Sequence, residues 1–153
     1  VEVVQKVALD WGQLGLYISK IGQQISLRHK GEMPFTSVMG VSRGGLPLGI
    51  AMSHKLDLPF VPVSVRSYTD SHRREAIKCD TPPEVFSKCS GHVLICDDLT
   101  DSGKTMDFLM NTIWETTRAD ITVAALFYKE TSIVKPDFFV EVTDKWIVFP
   151  WEV

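Results

Sequence analysis

Five short apolar runs punctuate the chain, at Phe35–Val41, Phe60–Val65, Val93–Cys96, Ile121–Tyr128 and Phe138–Val142. Strands that read as near-continuous apolar runs are buried on both faces, and parallel sheets covered by helices are built that way. Helical stripes fill the intervals. Leu14, Ile18, Ile21 and Ile25 recur at spacings of three and four, with Asp10 placed as the N-cap. Gly31 and Pro34 stop that stripe. Leu46–Leu56 reads as a second helix, with Pro47 tolerated in its first turn. Thr105–Glu115 reads as a third, with Met106, Leu109, Met110 and Ile113 on one face. Trp11 and Trp114 lie in such stripes and are expected in the core. The alternation predicts an α/β fold with a central, mainly parallel sheet flanked by helices.

Length and charge narrow the class. A chain of 153 residues has room for one domain with a real core, taken as 1–153. A net charge of −3 supplies no basic field, so nucleic acid is not an expected partner. Cys79, Cys89 and Cys96 form neither a CxxC pair nor a zinc spacing, which fits a reducing cytoplasm. No apolar run approaches the length of a membrane span, and no signal peptide is visible. Residues 67–90 are polar, with Arg73, Arg74, Pro82 and Pro83. They predict a long mobile lid loop with room for a short hairpin.

In open parallel sheets, ligands bind outside the carboxyl ends of the strands. Three features fall there together: Ser42-Arg43-Gly44-Gly45, the stretch Asp97–Thr105, and Lys129. The turn Ser102-Gly103-Lys104-Thr105 opens a helix, where free N–H groups and the helix dipole favour an anion. A Walker A loop would need glycine five places before Gly103, and position 98 is Asp. Asp97 and Asp98, neighbours on extended chain, point differently. Carboxylates accept from sugar hydroxyls and attract magnesium. A phosphate turn beside such acids describes a pocket for a ribose 5-phosphate.

The whole of Val93–Thr105 resembles the PRPP-binding signature of type I phosphoribosyltransferases. That signature is four apolar residues, two acids, an apolar residue, any residue, then Asp-[Thr/Ser]-Gly-x-[Thr/Ser]. Every position fits here, from Val93 through Asp97, Asp98 and Leu99 to Asp101-Ser102-Gly103-Lys104-Thr105. The resemblance implies that Asp97 and Asp98 hold the ribose hydroxyls, directly or through Mg²⁺. It gives the cation to Asp98, with Glu152 as a further candidate. Asp101, Ser102, Gly103, Lys104 and Thr105 would cradle the 5-phosphate, and Asp101 would manage the proton at purine N7. Ser42, Arg43 and Gly44 are similar to the family's pyrophosphate loop, which can carry a cis peptide, placed here at Ser42–Arg43. Arg74 resembles a pyrophosphate contact of the mobile loop.

The C-terminal run Asp144–Val148, with Phe149-Pro150-Trp151-Glu152, resembles the hood of 6-oxopurine phosphoribosyltransferases. The resemblance assigns the purine to Lys129, Trp146 and Ile147, within a small hood about residues 143–153 joined by residues near the N-terminus. Thr100 and Ser102 depart from the Val and Thr usual in the xanthine-guanine type. The implied activity is purine salvage from PRPP and xanthine, guanine or hypoxanthine, in a homodimer or homotetramer. A PRPP- or nucleotide-binding regulator of the same fold is the second expectation.

Overall fold

The computed structural model describes residues 3–152 of the chain. Strand β1 (Lys6–Ala8) leads into helix α1 (Trp11–His29). Asp10 caps it as expected: its Oδ1 accepts the Gln13 N–H at 2.7 Å, and Gln13 Oε1 accepts the Asp10 N–H at 2.9 Å. This reciprocal pair satisfies two donors that a helix start leaves unpaired. Next come β2 (Ser37–Ser42), α2 (Leu46–Leu56), β3 (Phe60–Thr69), β4 (Glu75–Cys79) and the short α3 (Pro83–Phe86). Then follow β5 (His92–Thr100), α4 (Lys104–Thr117), β6 (Asp120–Tyr128), β7 (Phe138–Val142) and β8 (Trp146–Val148). A 3₁₀ turn spans Pro150–Glu152.

Six strands form one sheet in the order β4-β3-β2-β5-β6-β7. Only β3 and β4 pair antiparallel. Side chains of β5 alternate between two cores. Leu94 and Cys96 join Leu14, Ile21, Leu48 and Met52 on the α1–α2 side. Val93 and Ile95 join Phe86, Met106, Leu109 and Ile113 on the α3–α4 side. The apolar runs are continuous because both faces are covered. From β2 the chain winds outward through β3, then returns to β5 and winds the other way. The reversal between β2 and β5 is a topological switch point, where a crevice opens at the carboxyl ends.

Three expectations need correction. The 67–90 segment is not a long loop: β3 runs on to Thr69 and pairs with β4 in a hairpin, followed by α3. Asp70 organises the hairpin turn, accepting the His72 and Arg74 N–H groups at 2.9 and 2.8 Å. The turn is therefore built from local side-chain bonds that apolar periodicity does not register. Trp11 and Trp114 are not in the core, being 63% and 49% exposed. Trp11 is the first residue of α1, and Arg118 covers the Trp114 ring at 5.3 Å. Strands β1 and β8 pair in parallel as a separate two-stranded sheet, which brings N-terminal chain to the segment expected as the hood. Val153, the last residue of the expected hood, lies outside the described residues, as do residues 1 and 2. No helix among the described residues is long and apolar enough to cross a membrane.

Candidate active site

The loop from β2 to α2 lies flat against β5. Its Ser42–Arg43 peptide is cis. A Cβ at Gly44 would run into the Asp98 carboxylate, and one at Gly45 would run into the Cys96 carbonyl. The Gly45 N–H donates to the Val41 carbonyl at 2.8 Å, which folds the loop back on its own strand. Two glycines stand here because the loop must approach the acids of β5 at backbone distance.

The loop from β5 to α4 is the second wall. Gly103, at φ 81, is the left-handed residue from which α4 starts. A Cβ there would meet the Ser132 hydroxyl and the Val134 amide, so glycine is required by space as well as by φ. The Lys104 N–H reaches the Ser102 hydroxyl only at 3.4 Å. The opening amides of α4 have no helical acceptor and face the loop. The Lys129 N–H donates to the Thr100 carbonyl at 3.0 Å, and Lys129 Nζ lies 3.3 Å from Asp101 Oδ1. The end of β6 thus delivers Lys129 to Asp101.

Between the walls sit the acids. Asp97 Oδ1 accepts the Asp98 N–H at 2.8 Å, and Asp98 Oδ1 accepts the Leu99 N–H at 2.7 Å. Among the described residues, neither carboxylate has a basic partner within salt-bridge range. Burial, with repulsion from Asp98 second, holds Asp97 well above the usual carboxylate range. Burial also raises Asp98, and the Glu152 charge pushes the same way. Uncompensated oxygen donors of this kind suit a hard divalent cation such as Mg²⁺. No group of three His, Cys, Asp or Glu among the described residues makes a closed metal cage. Mg²⁺ is commonly held by one or two carboxylates together with substrate phosphates, so the residues fit it.

A cavity of about 560 Å³ opens over these loops. It gathers Ser42, Gly44, Asp97, Asp98, Asp101, Ser102, Gly103 and Thr105 from two separate stretches. A second cavity, about 1060 Å³, adjoins it through Ser42, Gly44, Arg66 and Asp98, and takes in Arg43 and Glu152. Other expected site residues stand apart. Lys104 is not among the lining residues and reaches across to the hairpin, donating from Nζ to Glu75 Oε2 at 2.7 Å. Arg74 lies at the hairpin turn, where its Nε donates to Asp70 Oδ2 at 3.1 Å, and it lines neither cavity. Trp146 and Ile147 line neither cavity: the first is 57% exposed on the hood, and the second is packed into the core.

Sequence reading missed Arg66 and Glu75, which line the first cavity, and Trp11 and Trp151, which line the second. The strand-end rule would have found Arg66, had β3 been taken past Val65.

Comparison with known proteins matches residues 9–153 to the phosphoribosyl transferase domain. The xanthine-guanine phosphoribosyltransferase of Cereibacter sphaeroides is 30% identical over 151 residues, covering 94% of this chain and 85% of that protein. The crystal structure of a purine phosphoribosyltransferase from Pyrococcus horikoshii is 30% identical, with a TM-score of 0.81 over 97% of this chain and 95% of that one. The Helicobacter pylori xanthine-guanine-hypoxanthine phosphoribosyltransferase shares the fold at a TM-score of 0.82, over 97% and 95% of the two chains, with 22% identity. With the signature of β5 and α4 at the switch point of a mainly parallel sheet, the chain belongs to the type I phosphoribosyltransferase family.

Proposed function

We propose that this chain transfers the 5-phosphoribosyl group of PRPP to a 6-oxopurine, giving the nucleoside 5′-monophosphate and pyrophosphate. One observation carries the reading. Asp97 and Asp98, the amide-rich start of α4 and the Ser42–Gly44 loop converge on one cavity at the switch point. Diol acceptors, a phosphate cradle and a second oxyanion site are the three things PRPP requires.

The roles follow from chemistry. The opening turn of α4, from Asp101 to Thr105, binds the 5-phosphate through unpaired N–H groups and hydroxyls. Asp97 and Asp98 accept from the ribose hydroxyls. Arg43 and the loop amides beside Gly44 take the pyrophosphate. Mg²⁺, when bound at Asp98 with Glu152 beside it, would neutralise charge on the departing pyrophosphate. The bond from C1′ to the pyrophosphate oxygen breaks as C1′ bonds to the purine nitrogen. Asp101 takes the proton displaced from the ring at N7. The pairing of Asp101 with Lys129 supports the purine assignment. In the tautomer that reacts at the other imidazole nitrogen, O6 accepts and N7–H donates on one edge of guanine, and a lysine beside a carboxylate addresses both. Adenine presents an amino donor in place of O6, which Lys129 would repel. Trp146 offers an exposed indole on the hood for stacking.

The test is a base panel. The protein is given PRPP and Mg²⁺ with guanine, xanthine, hypoxanthine or adenine, and initial rates of nucleotide formation are compared. Turnover of at least one 6-oxopurine, well above adenine, is expected. A preference for adenine would remove the role given to Lys129. PRPP binding with no turnover of any base would favour the regulatory reading.

A further inference from the structure

The first cavity poses an electrostatic problem. Four carboxylates line it, from Glu75, Asp97, Asp98 and Asp101. Lys104 pairs with Glu75 and Lys129 with Asp101, which leaves Asp97 and Asp98 without a cation among the described residues. Among those residues Arg66 is the one basic side chain on the cavity wall. A substrate carrying several phosphate charges must enter. Arg74 is tied to Asp70. Arg66 also lines the second cavity, so the residue borders both.

Position in the sheet says which end of the substrate it meets. Ser42 pairs with Ser64 in the β2–β3 register, and Arg66 lies two residues further along β3, on the same side of the strand. It therefore stands beside the Ser42–Gly44 loop, on a strand rather than on a turn. Its present partner is loosely held. Arg66 Nε is 3.5 Å from Asp80 Oδ2, longer than a close charge-assisted hydrogen bond. Asp80 has another cation, Lys78 Nζ, at 3.6 Å from its other oxygen. Arg66 can turn to an incoming anion without leaving Asp80 unpaired.

We propose that Arg66 is a pyrophosphate-binding residue of this site, with Asp80 as the counter-ion it leaves. The inference rests on the phosphoribosyltransfer reading and adds a residue to it. Arginine suits the task because its planar fork matches two phosphate oxygens at once.

The experiment measures binding of pyrophosphate with Mg²⁺ by calorimetry, and KM values in steady state, for wild type, Arg66→Gln and Asp80→Asn. The Arg66 side chain is 63% exposed, so its replacement leaves the core intact. Arg66→Gln should weaken pyrophosphate binding about ten- to a hundredfold and raise KM for PRPP in parallel. KM for the purine should stay within about twofold, a split that a general structural defect would not give. Asp80→Asn should tighten pyrophosphate about two- to fivefold. A wild-type protein that binds pyrophosphate, with Arg66→Gln binding it equally well, overturns the assignment of Arg66 alone. Weaker binding in Asp80→Asn overturns the counter-ion role. A wild type that neither binds pyrophosphate nor releases it from PRPP overturns the underlying reading as well.

Discussion

The β5–α4 loop and the β3–β4 hairpin face the same cavity but are held in different ways. The loop is fixed by backbone: Gly103 in a left-handed conformation, adjacent acids bonded to the next amides, and glycines pressed against them. The hairpin backbone is held by its own ladder, but its charged side chains are held by ion pairs: Arg66 with Asp80, Arg74 with Asp70, and Glu75 with Lys104. Backbone-held geometry costs nothing to reorganise when ligand arrives, so it suits the reacting centre. Exposed ion pairs are worth little each and exchange partners readily, which suits a wall that must receive charge. The difference teaches where to look for each kind of residue: chemistry on the loop, charge on the hairpin.

Substitutions can break this contrast, beginning with the loop. Asp101→Asn should lower kcat by about 10²–10⁴-fold while PRPP still binds, since general acid–base assistance is typically worth that much. Wild-type turnover across neutral pH would remove the proton-transfer role. Lys129→Ala should raise KM for 6-oxopurines about tenfold or more and leave KM for PRPP nearly unchanged. Equal losses for both substrates would mean that Lys129 merely supports the loop.

A smaller effect sharpens the electrostatic side. Because the folded state raises the Asp97 carboxyl, it binds that proton more tightly than the unfolded chain does. The stability this gives is present at low pH and is lost as pH rises from about 4 through the raised value. Asp97→Asn keeps an oxygen for the Asp98 amide and removes the charge. Free of ligand and metal, it should melt above wild type at neutral pH, and the gap should close on acidification. A variant that melts lower at every pH would show that the acids are not in conflict. The smallest effect belongs to the hairpin: Glu75→Gln should move Tm by less than about 3 °C, read by calorimetry.

What was legible in the sequence divides along the same line. The β5–α4 loop was readable because each of its residues acts on its neighbours. Gly103 must adopt a positive φ, and Asp97 and Asp98 bond to adjacent amides. Helix α2 was found with its observed ends, since Pro47 and the apolar run mark it locally. The cis peptide at Ser42–Arg43 was also placed in advance. Residues made important by distant chain were missed or misjudged. Strand β1 is only three residues long and forms by pairing with Trp146–Val148 at the far end of the chain. Trp11 shares a stripe with Leu14, yet at the first position of α1 it is exposed and neighbours Trp151, with ring centroids 6.4 Å apart. Arg66 carries no local mark. Its place follows from the β2–β3 register, which no single segment contains.

The central claim is that the acids at the end of β5 serve a transfer of the phosphoribosyl group. It is tested most directly by following the ³¹P spectrum of PRPP with Mg²⁺ and guanine, xanthine or hypoxanthine as the protein is added. The account predicts that the diphosphate resonances of PRPP give way to free pyrophosphate and a nucleoside monophosphate in equal amounts. A spectrum unchanged with all three bases, or one yielding ribose 5-phosphate in place of the nucleotide, would contradict it.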